Sequence, residues 1–282
     1  MRLGVSYNLF DGEELLETSI SQIRMHVDFI CIIYQEISNF GEKREDLRGF
    51  LENLVSRGLV DKIFCYSPQK INTTNKLTLS QEYILRGEKN EIIKRNIGKD
   101  ICLRYGKCSH HISLDCDEMF ITEEFERAKE IVKNGNYDTS YVNFVNYYKK
   151  PTLQMKEEDF WGYISFITKC DNRVYGKGPS PVIIDPTRKI NPNRYHIFNR
   201  ETIQMHHYSY LRGSEESLRR KLNNTSYKRH TKMIEGIEKV VNSYLNYKDG
   251  DKAVIPFVGG SQEKELIKVE NKIKSDVGKI IR

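Results

Sequence analysis

The chain has little of what marks several protein classes. No stretch approaches the ~20 consecutive apolar residues of a membrane helix. The opening apolar run, within Met1 to Tyr7, is too short for a secretory signal and leads straight into patterned chain. Its six cysteines (31, 65, 102, 108, 116 and 170) contain no C-x-x-C pair, which disfavours a zinc site or a disulfide framework and suggests reduced, structural thiols. There is one tryptophan, and there are seven prolines among 282 residues; internal repeats and low-complexity segments are lacking. These absences lead us to expect a soluble, cytoplasmic protein without a transmembrane segment. What is present suffices for a folded core: 38% hydrophobic and 11% aromatic residues, with 30% charged, rule out disorder as the whole answer.

The net charge is +6 and is unevenly placed. Residues 212–282 carry 16 Lys/Arg against 10 Asp/Glu, so the first 211 residues balance. Such asymmetry suits a local anionic partner such as phosphate, or else a solvated helix face. Nucleic acid is disfavoured, because the cluster from Arg212 to Lys232 carries no reader motif.

Along the chain, short apolar runs alternate with helical periodicity. Leu3–Tyr7, Asp28–Tyr34, Lys62–Tyr66 and His110–Leu114 read as strands. Helices are expected after Asp11 (with Asp11 as cap and Glu14 three residues on), over Lys43–Arg57 and over residues 81–105. This is the pattern of a parallel sheet with helices on both faces. A helix from Thr122 to about Lys133 follows. Aromatic-rich strands are then expected at Ser140–Tyr148, Phe160–Thr168 and Ile203–Tyr210, and a long helical stretch from Ser214. The tail from Lys252 is weakly patterned.

In such sheets ligands bind outside the carboxyl ends of the strands. Asp115 and Asp117 stand there, just past the fourth strand. Two carboxylates so placed suit a hard divalent cation such as Mg²⁺ or Mn²⁺ bridged to phosphate. A D-x-D pattern alone says little, since Asp249 and Asp251 make another in a polar turn. Context separates the first, with Ile112-Ser113-Leu114 before it and Glu118-Met119-Phe120 after it.

Around this pair the sequence resembles GT-A fold glycosyltransferases, closest to their family 2-like group. Lys94-Arg95-Asn96-Ile97-Gly98 followed by His111 to Phe120 looks like that group's helix with Arg-Asn-x-Gly before a strand ending in Leu-Asp-x-Asp-Glu. Ser6-Tyr7-Asn8 with Leu15-Leu16 resembles its first strand and helix, and Met205 to Arg212 its closing His-x-Ser-x-x-Arg segment. The resemblance touches residues 3 to about 222. One departure is Tyr34-Gln35-Glu36-Ile37-Ser38 after the second strand, where the family has an Asp-rich turn.

The resemblance implies a mostly parallel, Rossmann-like mixed α/β sheet over residues 1–212. Residues 1–120 would form its nucleotide-sugar half and 121–212 its acceptor half, with a basic C-terminal helical extension at 213–282. It implies a nucleotide-diphospho-sugar donor, a UDP-sugar first among them, and a glycan, lipid-linked or protein-linked acceptor, with inversion at the anomeric carbon. Asp115, Asp117 and His207 would be the ligands of Mn²⁺ or Mg²⁺. His206 would point to the opposite face of its strand. Tyr7, Asn8, Tyr66, Arg95, Asp115 and Arg212 would line the donor site, with Arg219, Arg220 and Lys221 near the diphosphate. For the base that takes the acceptor proton, Asp159 is preferred, then Glu158 and Glu157, with Asp185 an outside candidate; carboxylates beside the aromatics of Phe160-Trp161 would have a raised pKa. Trp161, Tyr147, Tyr148 and Tyr163 are core residues or acceptor platforms. The alternatives are a nucleotidyltransferase, disfavoured because Tyr7 to Gly12 is neither glycine-dense nor basic, and a catalytically silent carbohydrate-binding module of the same fold.

Overall fold

The computed structural model describes residues 1–44, 47–69, 79–156, 162–224, 231–257 and 260–273, with the side chains of 79–84 and 231–235 left aside. The first half alternates as expected: β1 (Leu3–Leu9), α1 (Glu13–Ile23), β2 (Phe29–Tyr34), α2 (Leu47–Ser56), β3 (Lys62–Cys65), α3 (Leu79–Arg104) and β4 (His110–Asp115). A two-residue strand β5 (Glu118–Met119) and α4 (Thr122–Gly135) follow. Then come β6 (Thr139–Tyr148), β7 (Lys150–Met155), β8 (Tyr163–Lys169), a 3₁₀ turn at Pro186–Arg188, β9 (Tyr195–Ile197) and β10 (Gln204–Tyr210). The last part holds α5 (Glu215–Asn223), α6 (Thr231–Leu245), β11 (Ala253–Phe257), β12 (Gly260–Lys264) and β13 (Leu266–Lys268).

The main sheet is mixed, in the order β13-β7-β6-β8-β4-β1-β2-β3. Its β3-β2-β1-β4 half is parallel. From β4 outward through β8, β6, β7 and β13 the neighbours run antiparallel. β10 and β9 lie parallel to successive parts of β6. Strand order reverses between β1 and β4, the place where open α/β sheets leave a crevice.

Strand alternation explains how the helices are seated. Leu3, Val5, Tyr7 and Leu9 of β1 face a core built with α1, α2 and α4, including Leu16, Ile20, Leu51, Phe125 and Val132. The alternate residues, Gly4 and Ser6, are small and face α3. A Cβ on Gly98 of α3 would lie 2.3 Å from Ser6 Oγ, so only glycine lets the helix sit this close. Cys31, Cys102 and Cys108 fill the same interface as buried free thiols.

Three expectations are corrected. Asp11 does not cap α1: the N-cap is Gly12, left-handed at φ 80°, without a side-chain cap. A side chain there would meet Arg212 Nη1 at 2.9 Å. The stretch from Ser214 is two helices, α5 and α6. The C-terminal extension is not purely helical either, since β11 and β12 form a hairpin and β13 joins β7 at the edge of the main sheet. No described helix is long and apolar enough to cross a membrane.

Candidate active site

At the strand-order reversal the ends of β1 and β4 lie side by side, with Asn8 and Asp115 register partners. Asp115 receives Arg95 of α3 at 3.3 Å and Arg188 of the 3₁₀ turn at 2.9 Å. Burial alone would raise its carboxyl pKa, but Arg95 and Arg188 outweigh it and hold Asp115 well below the usual carboxylate range. Its side chain stays 37% exposed, whereas both arginines are almost fully enclosed, so a ligand meets the carboxylate first. Arg95 also donates to Ser113 Oγ at 3.0 Å, and Asn8 Nδ2 donates to the same oxygen at 3.3 Å. Asn8 Oδ1 is buried without a hydrogen-bond partner.

Asp117 lies one turn further on. β10 holds that turn in place: Tyr208 N donates to Asp117 O at 2.8 Å, and β5 pairs antiparallel with β10 through His207 and Glu118. Asp117 Oδ2 accepts from Arg212 at 2.9 Å and Lys221 at 3.1 Å. Against burial, Lys221, His207 and Arg212 keep this carboxyl far below its ordinary value. Its other oxygen, Oδ1, faces His207 Nε2 at 3.6 Å. His207 and Lys221 each keep about a quarter of their side-chain surface open. Glu118 behaves differently. It accepts from Arg188 at 2.5 Å and from the Asp115 amide at 2.9 Å, yet burial pushes its pKa up to about 7.

The structure thus forms two clusters from the expected residues: Asn8, Arg95 and Asp115 in one, Asp117, His207 and Arg212 in the other. Lys221, only a secondary candidate from sequence, joins the second. Arg188 was missed altogether, although its guanidinium ties Asp115 to Glu118. The side chain of Tyr7 is elsewhere, buried against α1 with its hydroxyl 3.0 Å from Ser19 Oγ. Tyr66 stands past β3, bonded to Asn90 of α3 at 2.5 Å. His206 points to the opposite face, where Tyr147 OH meets its Nδ1 at 2.8 Å. Asp185 caps the 3₁₀ turn by accepting from Thr187 N. Tyr147 and Tyr148 are core residues. Glu157, Glu158, Asp159 and Trp161 lie outside the described residues.

For a metal, the available donors are Asp115, Asp117 and His207. Among the described residues no three His, Cys, Asp or Glu side chains converge as a ligand cluster. The closest approach to one is the Asp117–His207 pair, an oxygen and an imidazole nitrogen suited in kind to Mn²⁺ or Mg²⁺. This pair fits a cation better than Asp115, whose oxygens are taken by arginines.

No protein-family model matches the chain, and no curated protein matches it. Several solved structures align with most of this chain at low identity. S. aureus TarS 1-349 is 10% identical, with 89% of this chain and 74% of that chain covered and a TM-score of 0.44. TarS 1-349 in complex with UDP-GlcNAc is 9% identical, with 87% and 72% covered and a TM-score of 0.43. GalNAc-T7 with UDP, GalNAc and Mn²⁺ is 12% identical, with 85% of this chain and 51% of that one covered and a TM-score of 0.41.

Proposed function

We propose that the chain transfers a sugar from a nucleotide-diphospho-sugar, a UDP-sugar first among them, to an acceptor hydroxyl in the cytoplasm. The observation that carries this reading is the charge cluster past the ends of β1 and β4. At one strand-order reversal, Asp115 and Asp117 meet Arg95, Arg188, Arg212 and Lys221. Such a mixed-charge rim suits a ligand that combines hydroxyls with a pyrophosphate. Asp115 and Asn8 offer acceptors for ribose or base donors. Lys221, which keeps about a quarter of its side chain open, offers N–H donors to phosphate oxygens.

In this reading Asp117 and His207 hold Mn²⁺ or Mg²⁺, which would offset charge on the leaving diphosphate. Arg212 and Lys221 already neutralise Asp117 and are placed to share that load. A carboxylate among Asp159, Glu158 and Glu157 accepts the proton of the acceptor hydroxyl, and attack from the face opposite the leaving group inverts the anomeric carbon. The acceptor is a glycan or a lipid- or protein-linked hydroxyl.

Calorimetric titration of UDP in the presence of Mn²⁺ tests the donor site. Asp117→Ala is expected to lose metal-dependent binding and keep the fold; unchanged affinity would remove the metal assignment. Asp159→Asn is expected to keep UDP binding and lose turnover in a panel of nucleotide sugars. Turnover at the wild-type rate would move the base elsewhere.

A further inference from the structure

We infer that Ile273 is a positioning residue: from behind the charge cluster it sets the spacing between the Asp117 turn and Arg212. This rests on the reading of that cluster as a nucleotide-sugar site and needs no metal. β13 pairs with β7, and just beyond it Val269 N donates to Thr152 O at 2.9 Å. The chain then leaves the sheet edge and turns at Asn271, whose Oδ1 accepts from Ile273 N at 3.2 Å. Lys272 is close enough to act electrostatically on His206 of β10 and Glu124 of α4. Ile267 and Lys268 are exposed, yet Ile273 is fully enclosed. The segment after β13 is thus a strap that crosses from the sheet edge and ends in a buried peg.

The company Ile273 keeps gives it this role. It shares one buried cluster with Leu15, Met119, Val145, Tyr147, Tyr208 and Leu211. Four of these belong to the frame that carries the charged groups. Met119 lies two residues after Asp117, on the strand β5 that pairs with β10. Tyr208 N donates to Asp117 O at 2.8 Å, and Leu211 N donates to Tyr208 O at 2.9 Å, immediately before Arg212. Leu15 follows Glu14, whose carboxylate lies 3.7 Å from Arg212 Nη1. Side chains alternate along β10, so His207 faces Asp117 while Tyr208 faces the apolar cluster. The 2.9 Å contact of Arg212 with Asp117 is therefore backed by one apolar cluster, to which the strap contributes Ile273. Close-packed interiors pass on small changes in volume. A void in place of Ile273 loosens the Asp117 turn and Arg212 together.

Two readouts on the full chain test this: hydrogen exchange at the Tyr208 amide, and calorimetric titration of UDP with and without Mn²⁺. Ile273→Ala is expected to speed Tyr208 exchange and to weaken UDP roughly tenfold. Ile273→Leu, which conserves volume, is expected to restore both. Leu54→Ala is the control, an equal truncation in the core near the end of α2, where Leu54 O accepts from Leu59 N ahead of β3. It is expected to lower the melting temperature and leave UDP affinity unchanged. Unchanged Tyr208 exchange in Ile273→Ala, or UDP affinity equal to wild type, overturns the proposal and leaves the donor reading standing. If Leu54→Ala weakens UDP as much at a matched melting temperature, the effect is general instability and the proposal falls. A wild type that binds no UDP under either condition removes the donor reading and the positioning role with it. Should Ile273→Ala fail to fold, Ile273→Val removes a single methyl and carries the same comparison.

Discussion

Arg188 ties together the ends of β4 and β5. Its guanidinium donates to the Ser113 carbonyl at 3.1 Å, to the part-exposed Asp115 at 2.9 Å and to the buried Glu118 at 2.5 Å. Removing one partner of a buried pair strands the other charge, which costs about 3–5 kcal/mol. Arg188→Met is therefore expected to lose that much stability in urea unfolding, and Arg188→Lys to recover only part of it, since an ammonium cannot fork. His111 supplies a second expectation. Its ring is buried between Ser6 Oγ at 2.8 Å and Tyr175 OH at 3.2 Å, and burial pushes its pKa down to about 3. The unfolded chain takes up this proton near pH 6.5 and the folded protein only near 3, so stability drains away as pH falls through that window. His111→Gln should flatten the stability profile between pH 4 and 6 by about 1.4 kcal/mol per pH unit, measured by urea unfolding at stepped pH. At this scale the sequence reveals a residue when its neighbours in the chain reveal it. Asp115 and Asp117 follow a strand and stand out. Arg188 follows Asp185-Pro186, a turn signal and nothing more, and its partners are some seventy residues away in the chain.

Elements were legible where a regular period was imposed on both sides by packing. β2 is buried on two faces and reads as an unbroken apolar run. α3 was placed within two residues at each end. Its seat on β1 depends on Gly98, and Gly98→Ala would drive a methyl into Ser6. A cost of roughly 1–3 kcal/mol is expected in thermal unfolding, and Ser6→Gly on the same background should return part of it. α5 is fastened differently. Ser214 Oγ caps it by accepting from Ser217 N, and Ser217 Oγ in turn donates to Glu14 of α1. Ser214→Ala should cost about 1 kcal/mol, read as faster amide exchange confined to α5. The short strands β5, β9 and β13 escaped notice for a physical reason. Two or three residues cannot display an alternation, and β9 and β13 leave much of their surface exposed. Gly12 misled in another way. Asp11 has the composition of a cap, but the space beside α1 belongs to Arg212, and only a left-handed glycine yields to it.

Over the whole molecule, the C-terminal positive excess is turned inward as well as outward. Arg212 and Lys221 close on Asp117, and Arg219 pairs with Glu215 and Glu238. Charge counting located the basic segment without revealing that its nearest anions belong to the same chain. The sheet has a comparable long-range closure. β13 pairs antiparallel with β7, and the Glu265 carbonyl and the Val269 amide extend the ladder to Lys156 and Thr152. An open strand invites other chains to pair with it. A ribosome making this protein from its N-terminus must therefore deliver more than a hundred further residues after β7 before the matching strand emerges. Throughout that interval the nascent sheet carries an uncovered border, and its shielding depends on the timing of translation as much as on the finished structure.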